Sequence, residues 1–348
     1  MKGKLWLPIA VVAGFFLTAT GLSQSWADDF YKGKTLRFVC GAAPGGGYDL
    51  SARIIGRHMP KHIPGNPTII VDNMTGAGHR VAANYTYNRA EPDGLTVGVW
   101  NFALVMYQAL GDKSLRLDPR KLGWIGAPTV GTPVCAMMGH SGLKTFKDVM
   151  ASKEEIKVAG TGAGTTYEDL PKILNLTLKT KFKVVSGYDG TGPSLVAMRS
   201  GEVQGACWTW ESMKSRARSM LDANGNDKLI PFLIHRPWPD PEVKGLPIIP
   251  DLLKGEELTL YKSWAATYEA QRPFILPPGV PKERLQLLRK AFADTMKDPE
   301  FLAEAKKSKF DTTYVSGEDI EKYTEEVLAM SPQTKEKLQF LMPQRKKK

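Results

Sequence analysis

Three loops hold most of the residues whose types and spacing could do chemistry, and they are rich in hydrogen-bond donors and poor in nucleophiles. Pro44, Gly45, Gly46, Gly47, Tyr48 and Asp49 follow the apolar run Leu36–Cys40 and precede a helical pattern in which Leu50, Ile54 and Ile55 recur. Gly76, Ala77, Gly78 and His79 follow Thr68–Val71. Thr161, Gly162, Ala163, Gly164, Thr165 and Thr166 follow Ile156–Ala159. Glycines at a strand-to-helix junction let a backbone approach a ligand closely, and the free N–H groups of a helix start attract anions. The chemistry these loops suggest is the holding of a carboxylate by backbone N–H groups, helped by the hydroxyls of Thr161, Thr165 and Thr166. Asp49 stands at a helix start, where it can cap the helix, hold a water against the ligand, or do both. Asn101 after Leu95–Trp100, and Tyr188, Asp189 and Gly190 after Phe182–Val185, occupy equivalent junctions and join the candidate set.

Catalytic patterns are weaker. Gly33-Lys34-Thr35 resembles the end of a phosphate-binding G-x-x-x-x-G-K-[ST] loop, but Asp28 stands where the first glycine belongs. Ser141-Gly142-Leu143-Lys144 matches S-x-x-K without the companion motifs of that chemistry. His58 and His62 are separated by Pro60 and read as a surface pair rather than a metal site; His140 and His235 carry no pattern. No metal, cofactor or catalytic residue is expected, and the chain reads as a binding protein rather than an enzyme. Trp208 and Trp210 are two apart in a strand-like run, so they are expected on one side of it. Both fit a core; with Trp100 and Tyr188 they could instead form the wall of an apolar pocket, and Trp210 is the better candidate for that wall.

The elements that must position these residues alternate. Apolar strand, glycine-rich turn and helix recur in two clusters, at roughly 35–130 and 155–235, which predicts layered α/β structure with mainly parallel sheets flanked by helices. In such sheets ligands bind beyond the carboxyl ends of the strands, where these loops fall. Between the clusters, Trp124–Met138 reads as an extended run broken by Pro128 and Pro133. The helical periods at 285–296, 300–307 and 320–330 have no sheet of their own and are expected to pack back on the first cluster. The pattern predicts two lobes joined by two crossings, with a cleft between them: residues 28–130 plus 266–348 in lobe 1, and 131–265 in lobe 2.

Composition narrows the class. The 348 residues carry 47 basic and 36 acidic side chains, a net charge of +11. Lys2 and Lys4, the apolar run Leu5–Leu17 and the ending Ser25-Trp26-Ala27 predict a secretory signal over 1–27, cleaved after Ala27. The apolar segment is short for a membrane span. The mature chain, two lysines poorer, stays basic. Its charges are dispersed rather than striped, which argues against nucleic acid and for a field that favours small anions. Cys40, Cys135 and Cys207 each sit in an apolar strand-like run. Buried free thiols are the expectation, one disulfide remains open, and the odd count leaves at least one thiol free.

The ordered set P-G-G-G-x-D-x-x-A-R (Pro44–Arg53), N-x-x-G-A-G (Asn73–Gly78), A-x-P-D-G (Ala90–Gly94), Gly160–Thr166, Tyr188–Gly190 with Gly201-Glu202-Val203, and Leu276–Pro281 resembles the Bug-type extracytoplasmic solute-binding proteins, the receptors of tripartite tricarboxylate transporters. The likeness runs from about 35 to 335. It implies a two-lobed periplasmic-binding-protein fold of the second type that closes on a small organic anion, most simply a carboxylate. That anion would be pinched between Pro44–Asp49 and Gly76–His79 of one lobe and Thr161–Thr166 and Tyr188–Gly190 of the other. It further implies a periplasmic monomer that hands its ligand to a large and a small integral membrane subunit driven by an ion gradient. The chain departs from the pattern at Ala42-Ala43, at Tyr48, and at Trp208-Thr209-Trp210-Glu211, positions that would select the ligand body, so no particular carboxylate is implied. A sensor feeding a membrane kinase, and a periplasmic hydrolase using Ser141 and Lys144, are the rival readings.

Overall fold

The computed structural model describes residues 30–342. The expected signal segment 1–27 and the basic tail Arg345–Lys348 lie outside the described residues.

Strand β1 (Thr35–Cys40) runs parallel to β2 (Thr68–Asn73) and β3 (Thr96–Val99). The helices Gly47–His58 and Arg80–Asn88 connect them, the former burying Ala52, Ile54 and Ile55 at helical spacing. β4 (Gly123–Ala127), β10 (Phe274–Leu276) and β11 (Val315–Ser316) complete a six-stranded sheet in the order β11-β4-β10-β3-β1-β2. The second sheet combines β5 (Pro133–Met138), β6 (Ile156–Gly160), β7 (Phe182–Ser186), β8 (Gly205–Thr209) and β9 (Leu229–Ile234) in the order β7-β6-β8-β5-β9. Each sheet has three parallel strands whose first member lies in the middle, followed by a strand that arrives from the other cluster.

That last feature corrects the expectation of mainly parallel sheets: both are mixed. β10 is antiparallel to β3 and β4, and β5 is antiparallel to β8 and β9. Parallel pairing follows from right-handed strand–helix–strand units, and the strands that enter from a crossing do not belong to one.

The chain passes from the first sheet to the second between Ala127 and Pro133 and returns after the helix Gly255–Ala265. The two passages run side by side. The Gln271 N–H donates to the Thr129 carbonyl at 2.9 Å and the Gly131 N–H to the Tyr268 carbonyl at 2.6 Å. Helices Lys282–Thr295 and Gly317–Leu328 pack on β4, and Pro299–Lys307 packs on Gly47–His58, so these C-terminal helices cover the first sheet as their lack of strands suggests. One apolar core lies on the first sheet, around Phe38, Phe274 and Phe292, and one on the second, around Val134, Ala159 and Met198, while a third cluster, with Tyr107, Leu170 and Trp264, spans both.

The cysteines differ from expectation. Cys135 on β5 and Cys207 on β8 face each other in register and form a disulfide, while Cys40 is free and buried. The pairing depends on a strand register across 72 residues of sequence, which local patterning does not carry.

Candidate binding site

The carboxyl ends of the parallel strands of both sheets converge on a cavity of about 450 Å³. The arrangement is the crevice at which α/β sheets bind ligands. Strand β1 delivers Pro44, Gly45, Gly46, Gly47 and Tyr48 to its lining, β2 delivers His79, and β3 delivers Asn101. From the other side, β6 delivers Thr161, Thr165 and Thr166, and β7 delivers Asp189 and Gly190.

The other candidate residues do not line the cavity, and each has a different task. Asp49 is 4% exposed and turned into its own loop. Its carboxylate accepts the Gly45 N–H at 2.9 Å, the Arg53 Nε–H at 2.9 Å and the Asn73 side-chain amide at 2.9 Å. Burial works against its charge, but these bonds hold its pKa below the usual carboxylate value. Asp49 therefore spends one of the loop's N–H groups on shaping the loop; the N-cap position belongs to Gly46.

Gly76, Ala77 and Gly78 all have positive φ (128°, 48° and 61°) and bring the backbone against the opposite loop. A Cβ on Gly78 would lie 2.7 Å from the Ala163 carbonyl oxygen. Arg80 donates to that same carbonyl at 2.9 Å, and the Asn101 side-chain amide donates to the Gly164 carbonyl. These glycine loops thus touch each other across the cleft. Gly162 carries the turn with φ 120°, and its carbonyl accepts the Thr165 hydroxyl at 2.8 Å. Tyr188 points away and donates to Glu202 at 2.7 Å.

Trp210 is corrected outright. β8 ends at Thr209 and Trp210 opens the next helix, so the alternation that would have placed it beside Trp208 stops one residue short. Trp210 is buried and its indole N–H donates to Asp240 at 3.0 Å. Trp100 also belongs to the core, edge-on to Trp124. The aromatic wall is built instead from Trp208 stacked on Tyr167, 5.3 Å apart at 11°, and from Tyr48 against His79 at 4.5 Å. Burial, with Arg80 close by, pushes the His79 pKa down to about 4, so its ring is neutral at pH 7.

The sequence reading missed both cations of the site. Arg272 comes from the returning passage just before β10, and Arg216 from the end of the helix Trp210–Arg216. Arg272 is 3% exposed. Its guanidinium sits against Gly47 and near the faces of Tyr48 and Phe310, at 6.0 and 5.6 Å from the ring centroids. Among the described residues it has no hydrogen-bond acceptor and no ion-pair partner, and its Nε is sealed from solvent. Arg216 makes one bond, to the Gly46 carbonyl at 3.3 Å, and its Nε is also unpartnered. Ser212 lies one turn before Arg216 and shares the lining. Helical spacing from Thr209 could have suggested Ser212 and Arg216. Arg272, at left-handed φ 60° before a proline, leaves no sequence signal.

A buried charge without a partner is costly, so this cavity is organised for an anion. Nothing in its lining pairs a nucleophile with a base. Ser141, the hydrolase candidate, lies elsewhere, its hydroxyl donating to the Met138 carbonyl at 2.7 Å and accepting the Leu143 N–H at 3.1 Å.

Comparison with known proteins agrees with the two-lobed architecture. No protein-family model matches the chain. Protein BugT of Bordetella pertussis is 23% identical over 206 residues, a match spanning 56% of this chain and 60% of that protein's length. Among solved structures, MatC from Rhodopseudomonas palustris with bound malate superposes with a TM-score of 0.68 at 21% identity, covering 88% of this chain and 99% of that one. The periplasmic binding protein BugD gives 0.68 at 19% identity, covering 89% and 98%. A further R. palustris protein, solved with adipate, gives 0.69 at 16% identity, covering 88% and 97%. The fold is the two-lobed α/β fold of periplasmic binding proteins, and in both sequence and fold the chain is similar to Bug-type solute-binding proteins.

Proposed function

We propose that this protein is a periplasmic receptor that captures a small organic anion, a carboxylate, and delivers it to the large and small membrane subunits of a tripartite tricarboxylate-type transporter. The observation that carries the reading is Arg272: a buried guanidinium with no partner among the described residues, facing an interlobe cavity whose other walls are glycine-loop backbone, threonine hydroxyls and aromatic rings. The carboxylate takes the N–H groups of Gly47 and Tyr48 at the helix start from one side and the Thr166 hydroxyl, which accepts from Tyr268 and keeps its own proton to donate, from the other; Thr161 and Thr165, bonded to each other and to Gly162, turn their hydroxyls to it on binding. Lobe 1 (28–130 with 266–348) and lobe 2 (131–265) close around it, and the ligand's contacts with both loops favour the closed form. The relatives solved with malate and adipate support the ligand class.

A thermal-shift screen of mono-, di- and tricarboxylates, on protein freed of co-purified ligand, tests this. Ligand at about a thousand times its Kd adds roughly 4 kcal/mol of stability, a rise of several degrees for a chain of this size. At least one acid is expected to give that rise. A panel of aliphatic, hydroxy and aromatic acids that leaves the Tm unmoved would overturn the carboxylate reading.

A further inference from the structure

Two guanidinium groups face one cavity from the two sides of the cleft, and the acids near them do not balance them. Asp49 is engaged by Arg53, Asn73 and Gly45. Asp311 pairs with Lys214 at 3.1 Å. Asp189 stands exposed at the rim. Glu211, next to Ser212, is 2% exposed, and both carboxylate oxygens lack a donor. Burial raises its pKa to about 7 even though Arg272 works the other way, so it neutralises Arg272 only in part near pH 7. For Arg216, burial lowers the pKa, Asp49 works against that, and the charge of Arg272 adds a smaller lowering. The two guanidiniums line one cavity as like charges, and an anion between them would balance both.

Building on the carboxylate reading, we propose that Arg216 and Arg272 count charge: the pair selects a ligand with two negative charges over its monovalent counterpart, because only a divalent anion balances both guanidiniums when the lobes are closed. Arg272 is fixed in place by Gly47, Tyr48 and Phe310. Arg216 arrives on the opposite lobe and already reaches the glycine loop through the Gly46 carbonyl. The aromatic wall of Trp208 and Tyr167 leaves the body of the ligand free to be apolar. Mutual repulsion of the two arginines then opposes closure on a monovalent acid and is relieved by a divalent one.

Isothermal titration of matched pairs tests this: adipate against hexanoate, and benzene-1,4-dicarboxylate against benzoate, at one ionic strength. The wild type is expected to bind the divalent member of a pair at least about tenfold more tightly. Arg216→Gln is expected to lose most of that preference, the divalent acid losing more affinity than the monovalent one. Independently of any variant, wild-type affinity for the divalent acid is expected to fall more steeply with added salt. Equal affinities within both pairs, a preference untouched by Arg216→Gln, or identical salt slopes would overturn the charge-counting role while leaving a carboxylate receptor standing. Failure of all four acids and of the wider screen would overturn the receptor's ligand class itself.

Discussion

At the scale of single residues, the buried acids of this protein divide into two kinds. Asp49 has its charge paid for by three donors, while Asp169 does not. Asp169 is fully buried and accepts the Tyr107 hydroxyl at 2.7 Å and the Gly164 N–H at 3.2 Å, with its second oxygen unpartnered. Burial raises its pKa to about 7 against those two bonds. A carboxyl held up in the folded state contributes stability below its unfolded pKa near 4 and loses that contribution as pH rises through about 7. The buried His79 and His235, lowered to about 4 and 3, act in the opposite sense, losing stability as pH falls from about 6.5. The wild-type profile mixes both, so the informative quantity is a difference. Asp169→Asn keeps an oxygen for Tyr107 and Gly164, and its Tm relative to wild type is expected to rise between pH 5 and pH 8. A difference flat across that range would contradict the assignment. None of this was legible in the sequence, where Asp169 is one acid among several in an ordinary helix; its side-chain partner Tyr107 lies 62 residues away.

At the scale of elements, the strand–glycine–helix theme was legible, and several of the loops it singles out converge on the interlobe cavity, because glycine and hydroxyl clusters after apolar runs follow from local backbone demands. What the theme does not distinguish is whether a glycine meets a ligand or another loop. Gly45–Gly47 line the cavity, whereas Gly78 faces Ala163 and Gly76 packs against Val81. The Trp208–Trp210 pair shows the same limit, since a strand end displaced by one residue reverses a side chain's surroundings. The loop-to-loop contact makes its own prediction. Gly78→Ala places a methyl group 2.7 Å from the Ala163 oxygen at φ 61°. Separating the lobes relieves the clash but not the backbone strain, so the overpacking part of the cost, about 1–3 kcal/mol, falls on bringing the two loops together. Ligand affinity measured by titration is expected to drop by about tenfold to a hundredfold. Unchanged affinity would mean that the two loops need not meet for binding.

At the scale of the molecule, the two-lobe plan followed from two clusters of repeats and the proline-interrupted run between them. The mixed character of the sheets and the Cys135–Cys207 bridge did not, because both are set by strands that meet only after the chain has crossed over. An apolar cluster that includes Tyr107, Leu170 and Trp264 runs through both halves, and polar contacts join them at the cleft: Arg80 to Ala163, Asn101 to Gly164, Tyr107 to Asp169, Lys214 to Asp311, Arg216 to Gly46. The polar contacts can be exchanged with water at modest cost, as the proposed closure requires. In the middle of them sits an arginine that contributes nothing to this network. A buried unpartnered charge lowers the stability of the empty protein and is tolerated for function. The most direct measurement is therefore the Tm of Arg272→Gln beside the wild type at pH 6, below the raised Glu211 pKa of about 7, with and without the strongest acid from the screen. The account predicts that the empty variant melts no lower than the empty wild type and that most of the ligand-induced rise disappears. A variant that melts several degrees lower when empty yet keeps the full rise would make Arg272 a structural residue and contradict the account.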